Sequence, residues 1–153
     1  MKTIRFIVLF AVALGHAAIA HAEFRAGIAV RVVTPEPLLP VSGGVGPSNP
    51  VTKKHGDLTV RAMVLENGGT RVAFVSTDFL GFPAALGDRV RRQVKAIPAA
   101  HILIGATHTH SAPDCYGFPN GRGGTDADLE YLDFVCNKAA EAINEAVAGL
   151  QPA

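Results

Sequence analysis

Apolar and polar positions alternate from Ala26 to Val33, with Ile and Val prominent, and this period of two predicts a β-strand stopped by Thr34-Pro35-Glu36-Pro37. Two more β-type runs, Leu58 to Glu66 and Thr70 to Ser76, are joined by Asn67-Gly68-Gly69, residues that accept the positive φ of a tight hairpin turn. The period then changes. Leu86, Val90, Val94 and Ile97 recur on one helical face behind Pro83, and Pro98 closes that helix. His101 to Ala106 is a short apolar run that reads as a buried strand. Leu129, Leu132, Cys136, Ala139, Ile143, Val147 and Leu150 then fall at helical spacing, with Thr125 or Asp126 as the N-cap. No closing strand is expected after that helix, so the chain reads as partial. The order strand, hairpin, helix, strand, helix predicts an α/β fold, a layered mixed sheet with flanking helices.

Two segments stand outside this pattern. Residues 1–22 read as a secretory leader: Lys2 and Arg5 form its basic start, Phe6 to Leu14 its apolar core and Ala20-His21-Ala22 its cleavage site. The apolar run is too short to span a bilayer and is followed by Gly15 and His16, so no stable membrane span is expected after cleavage. The expected product, residues 23–153, is one domain bound for the periplasm or the exterior. Residues 38–56 are crowded with Gly and Pro and form a loop long enough to carry a binding function. Its glycines lack the Lys-Ser or Lys-Thr of a phosphate cradle.

Charge narrows the partners. Fourteen Lys and Arg nearly cancel thirteen Asp and Glu, which removes the electrostatic case for nucleic acid. The run Arg89, Arg91, Arg92, Lys95 reads as a solvated helix surface. An oxidising destination permits a disulfide between Cys115 and Cys136, but their spacing matches no zinc-binding pair, and Cys136 lies on the apolar helix face, which favours burial.

The candidate chemistry is concentrated in Thr107-His108-Thr109-His110-Ser111. Strand alternation carried past Ala106 would put both imidazoles on one side, where they supply at most two ligands of a zinc site that needs about three plus an open position. Candidates for the remainder are Asp78, Asp114, His55 and His101. The competing reading is a pair of loop histidines held by neighbouring hydroxyls. A metallo-β-lactamase pattern is disfavoured because Ser111-Ala112-Pro113 stand where its next ligands belong. An amidohydrolase barrel would place its His-x-His after the first strand.

The segment Gly105 to Pro113 resembles the Thr-His-Thr-His-Ser-Gly-Pro segment of the neutral/alkaline non-lysosomal ceramidases. Ala26 to Ala29, His55 to Leu65 and Val72 to Asp78 resemble that family's N-terminal domain in the same order. The resemblance implies that residues 23–153 are the N-terminal part of a larger catalytic domain that binds one zinc ion and hydrolyses the amide of N-acylsphingosine or another N-acyl lipid. It implies that His108 is a zinc ligand and that His110 lies beside the metal and bonds the reacting amide. Arg61 and Asp78 match recurrent family positions. The family's other ligands (a histidine, a glutamate and a tyrosine) and its catalytic serine lie downstream of this motif and are expected outside this chain. Ala112 replaces the family's glycine, and Asp114-Cys115 with the insert Tyr116 to Gly121 replaces a Gly-Gly, which would reshape the substrate entrance. The alternative is a catalytically inactive domain of the same fold with a binding or structural role.

Overall fold

The computed structural model describes residues 23–153; the leader expected over residues 1–22 lies outside them. Strand β1 (Arg25–Val32) pairs antiparallel with β2 (Thr59–Asn67), which pairs antiparallel with β3 (Thr70–Thr77). Gly68 and Gly69 alone make the hairpin turn, with φ of 57° and 80°, the positive values a two-residue turn demands. After helix α1 (Ala84–Gln93), strand β4 (Ile102–Ala106) returns parallel to β3, so the sheet is mixed as the pattern predicts. Helix α2 (Leu129–Ala148) leads to a two-residue strand β5 (Gln151–Pro152) on the outer edge of β1, giving the order β4-β3-β2-β1-β5.

The core lies between the sheet and the two helices. Ala29, Val60, Ala62, Val64, Ala73 and Val75 face Leu86, Val90, Leu132, Val135, Cys136, Ala139 and Ile143, all buried. Small side chains on both sides let α2 approach the sheet closely. At Gly27 a Cβ would lie 2.0 Å from the Ala146 carbonyl oxygen, so no larger residue fits under the helix there. The two ends of the described chain meet at β1: Arg25 donates to Glu66 at 3.0 Å and to the Leu150 carbonyl at 2.6 Å, and the Ala153 amide donates to Phe24. The Tyr131 hydroxyl reaches the Val33 carbonyl at 2.8 Å, and burial pushes that phenol well above its ordinary range.

Several expectations are corrected. Helix α1 ends at Gln93, and Val94 and Ile97 are buried from beyond it, Val94 on extended backbone and Ile97 in a bend. Pro98 instead precedes a single 3-10 turn, Ala99–His101. The N-cap of α2 is Asp128, whose carboxylate accepts the Tyr131 amide, not Thr125 or Asp126. Leu129 is exposed, whereas Tyr131, Val135, Ala142 and Ala146 join the buried stripe. A closing strand does exist, as β5. Strand β4 is not buried: it is the sheet edge, and of its residues only Ile102 is fully covered, because both helices lie on one face. The arginines of α1 are not simply solvated. Arg89 pairs with Asp133 of α2, and Arg91 donates to the Ile102 carbonyl. Among the described residues no helix is long and apolar enough to cross a membrane.

Candidate metal and amide site

The histidine motif leaves the open end of β4. The Thr107 amide donates to the Thr77 carbonyl at 2.9 Å, one step past the ladder, and the Thr77 hydroxyl donates to the Gly105 carbonyl. There the strand stops. His108 takes φ of 63°, the only non-glycine residue among those described to do so, in a left-handed region where His is more frequent than most residues. Strand alternation therefore does not set the relation of the two imidazoles, as the sequence reading supposed. They meet nonetheless, with ring centroids 5.2 Å apart and planes at 73°.

Each ring is held from a different direction. His108 Nδ1 lies 2.8 Å from the Leu80 carbonyl oxygen, so the tautomer with hydrogen on Nδ1 leaves Nε2 as the free lone pair. This is how a metal-ligating histidine is normally oriented, by a carbonyl behind it. His110 lies against Gly43 of the long loop, where a Cβ would come within 3.0 Å of the His110 Cβ and 3.2 Å of its Nδ1. That contact is fixed by a bridge between Ser42 and Ala112, whose N–H to oxygen distance is 2.7 Å. The Ser42 hydroxyl beside it is buried with no partner among the described residues. Ser42 and Gly43 lie in the long loop that the sequence marks for binding, whereas Leu80 acts through its backbone carbonyl, which no side-chain pattern signals. The long loop also folds on itself, Val41 pairing with Asn49, and its Ser48 amide donates to Asp126.

Behind the histidines the chain is rigidly tied. Asp114 is buried, and its carboxylate accepts the amides of Tyr116, Gly117 and Phe118 at 2.8, 3.1 and 2.8 Å, a nest that engages both of its oxygens. The Cys115 thiol donates to the Gly81 carbonyl, and Tyr116 lies so close to Gly81 that a Cβ there would overlap the phenol. The segment Leu80-Gly81 thus supports both His108 and the start of the insert. Cys115 and Cys136 are free and buried; burial raises the Cys115 thiol and pushes Cys136 up to about 11.

The other candidate ligands do not join the pair. Asp78 accepts the Thr59 amide and hydroxyl at 2.9 and 2.8 Å and pairs with Arg61 at 3.0 Å. Burial is the largest single influence on that carboxyl and acts to raise it, but Thr59 and the Arg61 guanidinium together hold it below the usual carboxylate range. His101 sits at the opposite end of β4, with Nδ1 3.1 Å from the Arg71 carbonyl. His55 is exposed and lines a cavity of about 300 Å³ floored by Leu38, Leu39, Val51 and Leu58, with Ser111 on its wall. Among the described residues no three His, Cys, Asp or Glu are grouped to hold a metal ion. The Nε2 lone pair of His108 is left free in the way a metal ligand's would be, with His110 next to it, and among the described residues no further donor joins them.

No family model matches the chain, and no curated protein does. Solved structures similar to it include two ceramidases. One is a ceramidase complexed with C2, at 24% identity and a TM-score of 0.69, covering 86% of this chain and 22% of that one. The other is the neutral ceramidase from Pseudomonas aeruginosa, at 22% identity and a TM-score of 0.65, with the same coverage. The chain thus spans about a fifth of the length of these proteins, and what the likeness shows is a ceramidase-like α/β fold.

Proposed function

We propose that this chain is the N-terminal part of a zinc-dependent amide hydrolase resembling neutral ceramidase, exported by way of residues 1–22. His108 is one ligand of the metal and His110 the neighbour that meets the reacting amide. The observation that carries this reading is the pinned imidazole of His108, 2.8 Å from the Leu80 carbonyl, with the second ring 5.2 Å away. A bound zinc supplies Lewis acidity toward a carbonyl and toward water. His110, exposed and held against Gly43, is placed to donate a hydrogen bond to an amide oxygen as negative charge develops there. The substrate is an N-acyl lipid; that one solved neighbour is a ceramidase complexed with C2 supports this choice.

The incomplete donor set favours a second reading for the chain by itself, a ceramidase-like domain without turnover. Weak zinc binding is the expectation there, since an affinity that requires three or four ligands is not reached with one or two. The test is zinc titration followed through the imidazole ring signals, together with N-acylsphingosine hydrolysis, on the chain and on a polypeptide extended with further ceramidase-type sequence. Weak perturbation centred on His108 in the short form, with tight zinc and turnover in the extended form, is the expected result. Full zinc retention after His108→Ala would sink the ligand assignment, and zinc binding without turnover in the extended form would leave the inactive reading standing.

A further inference from the structure

The chain holds two Asn-Gly steps, Asn67-Gly68 at the tip of the β2–β3 hairpin and Asn120-Gly121 in the insert before α2. Glycine after asparagine leaves the next backbone nitrogen unshielded, so both steps invite attack of that nitrogen on the asparagine side chain, one source of the thermal lability of asparagine. The fold treats them differently. Asn120 is tied down: its Oδ1 accepts the Arg122 and Gly124 amides at 2.9 and 3.2 Å, and its Nδ2 donates to the Thr125 carbonyl and to Asp126 at 3.1 and 3.3 Å. Its own amide donates to the Gly124 carbonyl at 2.9 Å, which closes the loop. Asn67 is exposed, and its carboxamide holds no hydrogen bond among the described residues; nor does the Gly68 amide that follows it. With φ of 57° and 80°, Gly68 and Gly69 carry the chain round in open space, and a Cβ on Gly69 would meet nothing within 4 Å. The electrophile and the nucleophile are therefore both free at the hairpin and at least one of them is held in the insert.

We propose that Asn67 is a site of self-modification, converting to a mixture of aspartate and isoaspartate while Asn120 stays intact. The Gly68 nitrogen bonds to Asn67 Cγ, the Cγ–Nδ2 bond breaks, and the proton of the Gly68 amide leaves with the side-chain nitrogen as ammonia. The product is a cyclic imide. Water then opens the ring at one of its two carbonyls, so the net change is one water taken up and one ammonia released. Opening at one carbonyl leaves aspartate in a normal chain; opening at the other routes the backbone through Cγ and lengthens it by one methylene. Asn67 is the residue paired with Thr70 where the two-residue turn closes, and the next pair inward is Glu66 with Arg71. An extra backbone atom on one strand only acts like a bulge, leaving the facing residues out of step. The pair it reaches first carries the Glu66–Arg71 ion pair, and Glu66 also holds Arg25 of β1. This inference does not depend on the hydrolytic reading.

The test ages the chain in mildly alkaline buffer, folded and in denaturant, and reads each site by mass spectrometry after trypsin. Peptides 62–71 and 96–122 carry one asparagine each, so the gain in mass from carboxamide to carboxyl is assigned without ambiguity, and electron-transfer fragmentation separates aspartate from isoaspartate. In the folded chain the gain at Asn67 should run several-fold faster than at Asn120, and in denaturant the two rates should converge. Equal rates in the folded chain, a faster Asn120, or a hairpin that reacts only in denaturant would each overturn the proposal. Asn67→Gln should remove the gain from peptide 62–71 and leave Asn120 unchanged; a gain that persists there overturns it as well. Asn67→Asp supplies the new charge without the longer backbone and should keep the unfolding midpoint, whereas the isoaspartyl fraction of the aged chain should unfold at lower denaturant. An isoaspartyl fraction as stable as Asn67→Asp would overturn the predicted loss of register.

Discussion

His101 and His108 stand at opposite ends of β4, both exposed and both with Nδ1 against a backbone carbonyl, yet only one of them looks like part of a site. His101 closes a 3-10 turn and has Arg71 behind it. His108 sits on a left-handed residue with a second imidazole in edge contact, a glycine of the long loop beyond that, and a buried carboxylate holding the chain that follows. A pinned ring is therefore common property. What distinguishes the His108 end is the density of constraints that converge on it.

The strongest way to break this contrast is to remove the buried carboxylate. Asp114→Ala leaves three inward amides without their acceptor and should cost about 3 kcal/mol in denaturant unfolding. It should also broaden the His108 and His110 ring signals and leave His101 untouched. An unchanged midpoint would show that the 114–118 nest does not anchor the loop. Next comes the backbone of His108. Because φ there is 63°, His108→Gly should be more stable than His108→Ala by about 1 kcal/mol in the same measurement, and equal values would mean that the left-handed turn is not held.

An acid titration sharpens the comparison further. The carboxyl of Asp78 is held below its ordinary value, so its contribution is fully present above the usual carboxylate range near 3.8 and is lost as pH falls through its lower folded value. Asp78→Asn should flatten part of the stability decline below about pH 4, set against the model-peptide range of carboxylates. An identical acid slope in the variant would place the Arg61 and Thr59 contacts in doubt. The smallest effect belongs to the reference histidine: His101→Ala should change stability by no more than about 0.5 kcal/mol, as exposed substitutions do, and should leave any zinc-induced signal at His108 intact.

Local chemistry was readable in the sequence and tertiary placement was not. The hairpin follows from Gly68 and Gly69 because a two-residue turn with two positive φ angles selects glycine whatever surrounds it. The nearness of His108 and His110 follows from their spacing, but the reason differs, since the strand ends at Ala106 and a turn brings the rings together. The burial of β4 was misjudged because Ile102-Leu103-Ile104 is apolar on both faces, and periodicity says nothing about how many layers lie on a sheet. Val94 and Ile97 have helical spacing from Val90 yet are buried from beyond the helix, because tertiary packing accepts any conformation that delivers the side chain. Asp128 caps α2 beside Thr125 and Asp126, side chains of equal capping propensity, so composition does not single it out. The fold neighbours at 22% and 24% identity agree with the layered α/β reading.

The meeting of the two ends of the described residues at β1 bears on how this domain is made. Strand β1 finds β2 early, but its other partners, α2 and β5, emerge only after β3, α1 and β4. At a translation rate of about 5–20 residues per second, the stretch from the end of β3 to the end of α2 takes on the order of 4 to 14 seconds to emerge. Through that interval the young sheet lacks α2, the helix that covers β1 and β2, and apolar side chains on both of its faces stay open. The nascent sheet is thus at its stickiest before α2 emerges, and a holding factor that engages it then, or an export route that takes it unfolded, would suit this order of assembly.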